Sequence, residues 1–120
     1  MPIRMERFVP GFIINRLQCN MNCEFMYLLE NGYCTPENMD LAVKTCLMPR
    51  GMLLGLGQRM DFTGLDMIAN RFRNTGYTAA PPKQEMPKMI ARHYEQDELG
   101  VKSGRGFYDY SRQTYGDVLV

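Results

Sequence analysis

The clearest hydrophobic pattern in the chain lies between Phe12 and Glu30. Apolar residues recur there at intervals of three and four positions, at Ile14, Leu17, Met21, Phe25, Leu28 and Leu29. This spacing places them on one side of an α-helix. Asn31-Gly32 ends the helix, because glycine readily takes the positive φ that the residue after a helix often needs. The pattern therefore predicts a first amphipathic helix over 12–30.

A second helix is predicted to begin at Thr-Pro-Glu, residues 35–37. The threonine serves as N-cap, the proline takes the first helical position, and the acid lies in the first turn. The residues that we assign to its buried face are Met39, Ala42, Val43 and Cys46. Pro49-Arg50-Gly51 predicts a break after this helix.

The rest of the chain is predicted to form shorter helices and turns. Residues 51–66 are apolar but contain four glycines, each costing a helix about 1 kcal/mol relative to alanine, so we expect short helices divided near Gly64. Leu65, Ile68, Ala69 and Phe72 continue as a helix that Gly76 stops, and YTAAPP at 77–82 predicts a loop. A last helix is predicted from Met86 to Glu98, with Met89, Ile90 and Tyr94 facing inward. The tail GVKSGRGFYDY is predicted to be irregular or extended.

These elements predict an all-α fold, a compact bundle of about five to six helices. No strand-like alternation of useful length, internal repeat or low-complexity tract occurs. With 120 residues, 45% of them hydrophobic, the chain can form a core of its own. We therefore interpret 1–120 as a single domain.

Charge and composition exclude several classes of protein. The 14 basic and 13 acidic residues give a net charge of +1, and neither sign clusters, so no basic face for nucleic acid is predicted. No apolar stretch approaches the roughly 18 residues that span a membrane. The opening MPIRMER lacks the apolar region of a signal peptide, so we expect a soluble, cytoplasmic protein.

The four cysteines do not predict a metal site. Cys19 and Cys23 are four positions apart on the first helix, which suits one face of such a site, but His93 is the one histidine and lies far away in sequence. Reduced, packed thiols are the favoured interpretation. The 11 methionines are typical of a helical core, and the alternative is an adaptable surface for a partner or an acyl chain.

The chain also lacks a complete nucleotide-binding or catalytic motif. GLG at 55–57 and SGRG at 103–106 do not complete G-x-G-x-x-G, and neither follows a strand and opens a helix. We therefore predict no cofactor-binding residues. His93 lies in the charged stretch ARHYEQDE, which we interpret as a solvated helix face that includes Glu95, Asp97 and Glu98.

Asn15 and Arg16 lie in the first turns of the predicted first helix, where apolar residues alone would serve a core. One interpretation is local: Asn15 makes hydrogen bonds in the first turn and Arg16 extends to water. The other is functional: a rigidly held amide donates to a ligand oxygen that develops negative charge. The residues alone leave both interpretations open.

Four stretches taken together resemble a known family: PGFIINR, ENGYCTPENMD, GLD at 64–66 and ELGVKSGRGFYDY. They are similar to the C-terminal domain of NAD-dependent 3-hydroxyacyl-CoA dehydrogenases, which include 3-hydroxybutyryl-CoA dehydrogenases. The likeness runs from about Val9 to Tyr110 in the family's order. The chain departs from common members at Cys23-Glu24, where many carry Asn-Glu, and at Gly55-Leu56, where a Gly-Pro pair is frequent.

The resemblance implies a fold, an activity and partners. The fold is the helical C-terminal domain of 6-phosphogluconate and 3-hydroxyacyl-CoA dehydrogenases. In the family, an N-terminal Rossmann domain, absent from this chain, binds NAD and supplies the catalytic His, Glu and Ser. The C-terminal domain closes over the acyl-CoA and forms most of a homodimer interface. The family's asparagine falls on Asn15, which would contact the substrate's 3-oxygen, and the segment 104–109 would be structural, with Phe107 and Tyr108 anchoring the tail.

The expected function is oxidation of (S)-3-hydroxyacyl-CoA to 3-oxoacyl-CoA with NAD in fatty-acid metabolism, with this chain inactive without its Rossmann domain. The alternatives are a stand-alone, non-catalytic dimerisation module and a dehydrogenase of another 3-hydroxy acid. A homodimer is also indicated by the middle segment, whose apolar residues exceed what one short helix buries. They are Met48, Met52, Leu53, Leu54, Leu56 and Met60.

Overall fold

A computed structural model describes residues 1–73 and 86–112, except for the side chain of Phe72. The helices are α1 (Phe12–Glu30), α2 (Pro36–Ala42), α3 (Met48–Leu53), α4 (Leu56–Thr63), α5 (Leu65–Arg73) and α6 (Lys88–Glu95). A π-helical turn, Val43–Leu47, joins α2 to α3, and a 3₁₀ turn, Val101–Ser103, lies in the tail. The described residues contain two isolated β-bridges and no strand. The predicted all-α fold is confirmed.

The chain divides into two compact units. One comprises Met1–Tyr33 and the chain from Gln84 onward, and it contains α1, α6 and the tail. The other comprises Cys34–Lys83 and contains α2 to α5. The interpretation of 1–120 as a single domain stays a prediction.

Helix α1 has the predicted bounds. It begins after Gly11, with φ 84°, and Phe12 also has a positive φ, of 55°. It ends where Gly32, at φ 72°, donates its N–H to the carbonyl of Leu29 over 3.0 Å. The C-terminal half of the apolar face is half-buried, whereas Ile14 and Leu17 near the start are exposed. The first turns of α1 are therefore open.

The predicted break at Pro49-Arg50-Gly51 is wrong, because these residues lie inside α3. Thr35 starts α2 as predicted, its Oγ1 accepting from the Asn38 N–H at 3.3 Å. The π-helical turn then widens the hydrogen-bond spacing just before Pro49. Pro49 consequently falls in the first turn of α3, where a helix needs no N–H from it.

The division between α4 and α5 at Gly64 is confirmed. Gly64 has φ 104° and donates its N–H to Met60 O over 2.9 Å. The burial predicted for Ala42 and Cys46 in the preceding helix is wrong, since both are exposed. Gly76 and the loop at 77–82 lie outside the described residues.

Helix α6 ends at Glu95, three residues before its predicted end. Asp97, at φ 57°, turns the chain there. Met89 and Ile90 are half-buried as predicted, but Tyr94 is 73% exposed, and His93 takes the inward place instead. Pro87 provides no side-chain cap at the start of α6.

The side chain that caps the start of α6 belongs to a residue distant in sequence. Glu30 Oε1, at the end of α1, accepts a hydrogen bond from the Met89 N–H at 2.7 Å. A carboxylate at the N-terminal turn of a helix satisfies a free donor and interacts favourably with the helix dipole. This bond ties α1 to α6 across 59 positions of sequence.

The tail folds as a tight turn held on α1 and α6. Bridges join Gly100 to Arg105 and Arg105 to Asp109. The Ser103 hydroxyl accepts from the Leu99 N–H at 2.7 Å. The ring of Phe107 packs edge-to-face against Phe25, with centroids 5.5 Å apart. Phe107 thus anchors the tail, as the resemblance implied.

No helix in the described ranges is long and apolar enough to cross a membrane.

Candidate functional site

Asn15 lies on α1 in its first turn, with its side chain exposed. No hydrogen bond engages its amide among residues 1–73 and 86–112. The local bond of this kind is made instead by Asn20, which donates to the Arg16 carbonyl at 2.9 Å. The aliphatic part of the Arg16 side chain lies over the turn. Its Cγ is 3.4 Å from the position that a Cβ on Gly11 would occupy. The Asn15 amide is therefore available to a ligand.

An apolar groove of about 360 Å³ adjoins Asn15. It is formed where the N-terminal segment passes the first turn of α1, and its lining residues are Ile3, Met5, Phe12, Ile13, Ile14 and Asn15. Asn15 contributes the one polar side chain among them. The left-handed backbone of Gly11 and Phe12 sets the direction in which the chain enters the helix. The site thus combines an apolar wall with a single amide.

Two further amides follow Asn15 along α1. Gln18 and Asn22 are exposed, and Gln18 Nε2 donates to Asn22 Oδ1 at 2.9 Å. Positions three and seven residues after Asn15 lie on the same side of a helix. We call Asn15, Gln18 and Asn22 the amide stripe. The sequence shows these residues, but only the exposed face of α1 indicates that they are available together.

The prediction that His93 lies on a solvated face is wrong. Its Nδ1 lies 2.7 Å from Glu98 Oε2, and the two side chains are 15% and 23% exposed. Glu98 also faces Arg105, with Oε1 3.6 Å from Nε, and the imidazole packs edge-to-face on Phe107 at 5.5 Å. Sequence periodicity missed this cluster because Glu98 lies beyond the end of α6, and the turn at Asp97 brings it back. These contacts fix the tail on α6.

All four cysteines are free thiols. Desolvation, followed by the neighbouring Cys19, raises the pKa of the Cys23 thiol. A raised pKa favours the neutral thiol, which is neither a good nucleophile nor a metal ligand. Cys19 and Cys46 are exposed, so the prediction of packed thiols is wrong for these two. Within the described part of the chain, no group of three or more metal-type side chains converges.

The fold and the site define a helical domain whose first helix presents an unengaged amide beside an apolar groove. Comparison with protein families gives this class a name. The family "3-hydroxyacyl-CoA dehydrogenase, C-terminal domain" matches residues 11–110. The chain belongs to this family, and the resemblance seen in the sequence is confirmed.

Individual relatives agree with this assignment. A probable 3-hydroxybutyryl-CoA dehydrogenase of Bacillus subtilis (strain 168) is 32% identical over 106 residues, which are 88% of this chain and 36% of that protein. The mitochondrial hydroxyacyl-coenzyme A dehydrogenase of Mus musculus is 34% identical over 105 residues, 84% of this chain and 32% of that protein.

A third relative has a different name. The 5-formyl-3-hydroxy-2-methylpyridine 4-carboxylate 5-dehydrogenase of Mesorhizobium japonicum is 26% identical over 113 residues, 92% of this chain and 36% of that protein. The chain spans about a third of the length of these curated relatives. No solved structure matches the chain significantly.

Proposed function

We propose that this chain is the substrate-side domain of an NAD-dependent dehydrogenase that oxidises (S)-3-hydroxyacyl-CoA to 3-oxoacyl-CoA in fatty-acid metabolism. Family membership and the names of the Bacillus and mouse relatives support the reaction and the CoA thioester. The observation that carries the proposal is the Asn15 amide, exposed and unengaged by the described residues, at the wall of an apolar groove. A Rossmann domain supplies the NAD site and the catalytic base.

Asn15 would act on the oxygen at C3. NAD, held by the Rossmann domain, would accept the hydride from C3. As the alcohol is converted to the ketone, negative charge would grow on this oxygen. An amide N–H placed before the reaction stabilises such charge more than it stabilises the neutral alcohol. The groove beside Asn15 is apolar, so it suits the acyl chain and weakens the screening of this hydrogen bond.

We also propose that the domain forms a homodimer through the apolar residues of α3 and α4. Met52 and Leu53 are 89% and 83% exposed, and Met48, Leu56 and Met60 are exposed as well. These five residues are the α3–α4 surface. Large apolar residues contiguous in sequence and open to solvent mark an interface more often than a free surface. A second copy of the chain is the partner that family membership favours.

A second candidate function is a dehydrogenase whose substrate is not a CoA thioester, such as another 3-hydroxy acid. It is favoured by the Mesorhizobium relative, whose name gives a formyl-substituted pyridine carboxylate and no CoA thioester. The stand-alone, non-catalytic module stays a further alternative. The cytoplasmic location stays a prediction, and the mouse relative is named as mitochondrial.

The proposal is tested with the holoenzyme that contains this chain, by following NADH formation from (S)-3-hydroxybutyryl-CoA. Asn15→Ala should lower turnover by about 10²- to 10³-fold, the typical effect of losing one donor to a developing oxyanion. The KM for NAD should change far less. Asn20→Ala is the matched control, because it removes an amide from another side of the same helix.

Near-wild-type turnover in a folded Asn15→Ala variant would show that Asn15 has no part in the reaction. Faster oxidation of a hydroxy compound without CoA would favour the second candidate. Absence of turnover with both kinds of substrate would favour the non-catalytic module.

A further inference from the structure

The amide stripe continues beyond the residue that the proposed reaction uses. Around a helix that turns by about 100° per residue, positions 18 and 22 lie within about 60° and 20° of position 15. All three side chains are exposed. Cys19, the other residue on this side, is small and uncharged. The first three turns of α1 therefore present a neutral, polar track that starts at the apolar groove.

The hydrogen bond between Gln18 and Asn22 leaves a defined pair of groups unused. Gln18 Nε2 donates to Asn22 Oδ1 at 2.9 Å, so Gln18 Oε1 stays free to accept and Asn22 Nδ2 stays free to donate. No described residue engages either group. One acceptor beside one donor is the complement of a secondary amide, which offers one N–H and one C=O. The absence of charge in the stripe disfavours an anionic group such as a phosphate.

We propose that Gln18 and Asn22 bind the pantetheine arm of the CoA thioester, through its amide nearest the sulfur. This inference rests on the function proposed above. With the C3 oxygen at Asn15, the substrate extends in two directions, as an acyl chain and as a thioester followed by pantetheine. The apolar groove at the start of α1 suits the acyl chain. The arm then follows the helix toward Gln18 and Asn22.

The dimensions of helix and substrate agree with this direction. Asn22 lies about 10 Å further along the axis than Asn15, at about 1.5 Å per residue. In an extended substrate the first amide nitrogen lies about 7 Å from C3, at about 3.5 Å for every three bonds. Gln18 lies between the two asparagines, and the reach of its side chain and that of Asn22 covers the remaining distance. The acyl chain has no such amide, so the stripe distinguishes the two ends of the substrate.

The test compares two substrates of the holoenzyme, acetoacetyl-CoA and the S-methyl thioester of acetoacetate, which lacks the arm. Gln18→Leu and Asn22→Leu remove the amides at similar side-chain size. For each variant, the ratio of kcat/KM for acetoacetyl-CoA to kcat/KM for the S-methyl thioester should fall about fivefold, the typical effect of one net hydrogen bond. Asn20→Leu, on another side of α1, should leave the ratio as it is, and thermal melts confirm that each variant is folded.

Each outcome bears on the inference. Equal losses on the two substrates, or an unaltered ratio, would overturn it. A rise in the KM for NADH, the cosubstrate when a 3-oxoacyl thioester is reduced, in place of the change in ratio would assign the stripe to the cofactor's carboxamide and would also overturn it. If wild-type enzyme turns over neither substrate, the proposed function fails and this inference with it. If Asn15→Ala impairs turnover but the Leu variants keep the ratio, only the pantetheine assignment is wrong.

Discussion

Asp97 turns the chain at the end of α6 with a left-handed backbone, φ 57°. This single conformation returns Glu98 to His93, at 2.7 Å. A residue with a side chain is less stable in this conformation than glycine, although aspartate tolerates it better than most. Asp97 keeps this unfavourable backbone conformation because the His93–Glu98 contact and the position of the tail depend on the turn.

Asp97→Gly should therefore raise the free energy of unfolding by about 0.5–1 kcal/mol, since the strain relieved exceeds the added entropy of the unfolded chain. Urea denaturation measures it. Arg92→Gly, at an exposed position inside α6, is the matched control and should lower the free energy of unfolding by about 1 kcal/mol. A loss of stability in Asp97→Gly would mean that the Asp97 carboxylate, and not the backbone, supports the turn.

Individual residues differ in how well their contacts and roles could be predicted from the sequence. Asn15 could be selected because its motif resembles a family and its polarity conflicts with the helix pattern around it. The pairing of His93 could not be predicted, because it follows from the φ of Asp97, which leaves no trace in hydrophobic periodicity. The exposure of Gln18 and Asn22 likewise depends on how far along α1 the contacts of its unit extend, since residues 12–22 are all exposed and residues 23–29 are half-buried.

Among the elements, the tail is held most closely by its backbone. A Cβ on Gly106 would lie 2.9 Å from Gly100 Cα and 3.2 Å from its nitrogen. Both neighbours are backbone atoms and cannot swing aside as a flexible side chain would. Glycine at position 106 is therefore required for the bridge between Gly100 and Arg105.

Gly106→Ala should lower the free energy of unfolding by about 1–3 kcal/mol, the usual range for a forced overlap. It should also open the tail to limited proteolysis before the helices. Arg105→Ala is the control at the adjacent position: its exposed side chain lies 3.6 Å from Glu98, and a contact of this kind contributes at most about 1 kcal/mol. Equal effects of the two substitutions would contradict the close approach at Gly106.

Helix boundaries could be predicted wherever the signal is local. The cap at Thr35 and the end at Gly32 lie within a few residues of the helices that they bound. The break expected at Pro49 failed because a π-helical turn places that proline in a first turn. The start of α6 depends on Glu30, 59 positions away, and no pattern within one segment carries that information.

For the molecule as a whole, burial is the informative property. None of the described residues is fully buried, and the α3–α4 surface is among the most exposed apolar regions. Leu54, in the same segment, is half-buried, so a charge there would disturb the subunit itself. Leu53 is 83% exposed, so a charge at this position would affect association of the subunits without disturbing the fold of each subunit.

The unmodified chain should be a dimer at tens of micromolar, with about twice the 13.9 kDa mass of one copy. Leu53→Glu should dissociate it, because two-fold symmetry places the new charge twice in one interface. Light scattering after size exclusion measures the mass. Tyr94→Glu, at a position on α6 that is 73% exposed and outside the α3–α4 surface, should stay dimeric. A mass near 13.9 kDa for the unmodified chain would contradict the dimer.

Helix α1 connects the groove to the residues that contact the tail and α6. Over about 28 Å, at 1.5 Å for each residue, it carries Asn15 at one end and, at the other, Phe25 against Phe107 and Glu30 on the start of α6. A change in the tilt of α1 at the groove would therefore also move Phe25 and Glu30, the residues through which α1 contacts the tail and α6. Tyr27 and Tyr33 lie at the far end with ring centroids 6.3 Å apart, and the chain contains no tryptophan. With the other five of the chain's seven tyrosines replaced by phenylalanine, the emission of this pair would report on the end of α1 opposite the groove.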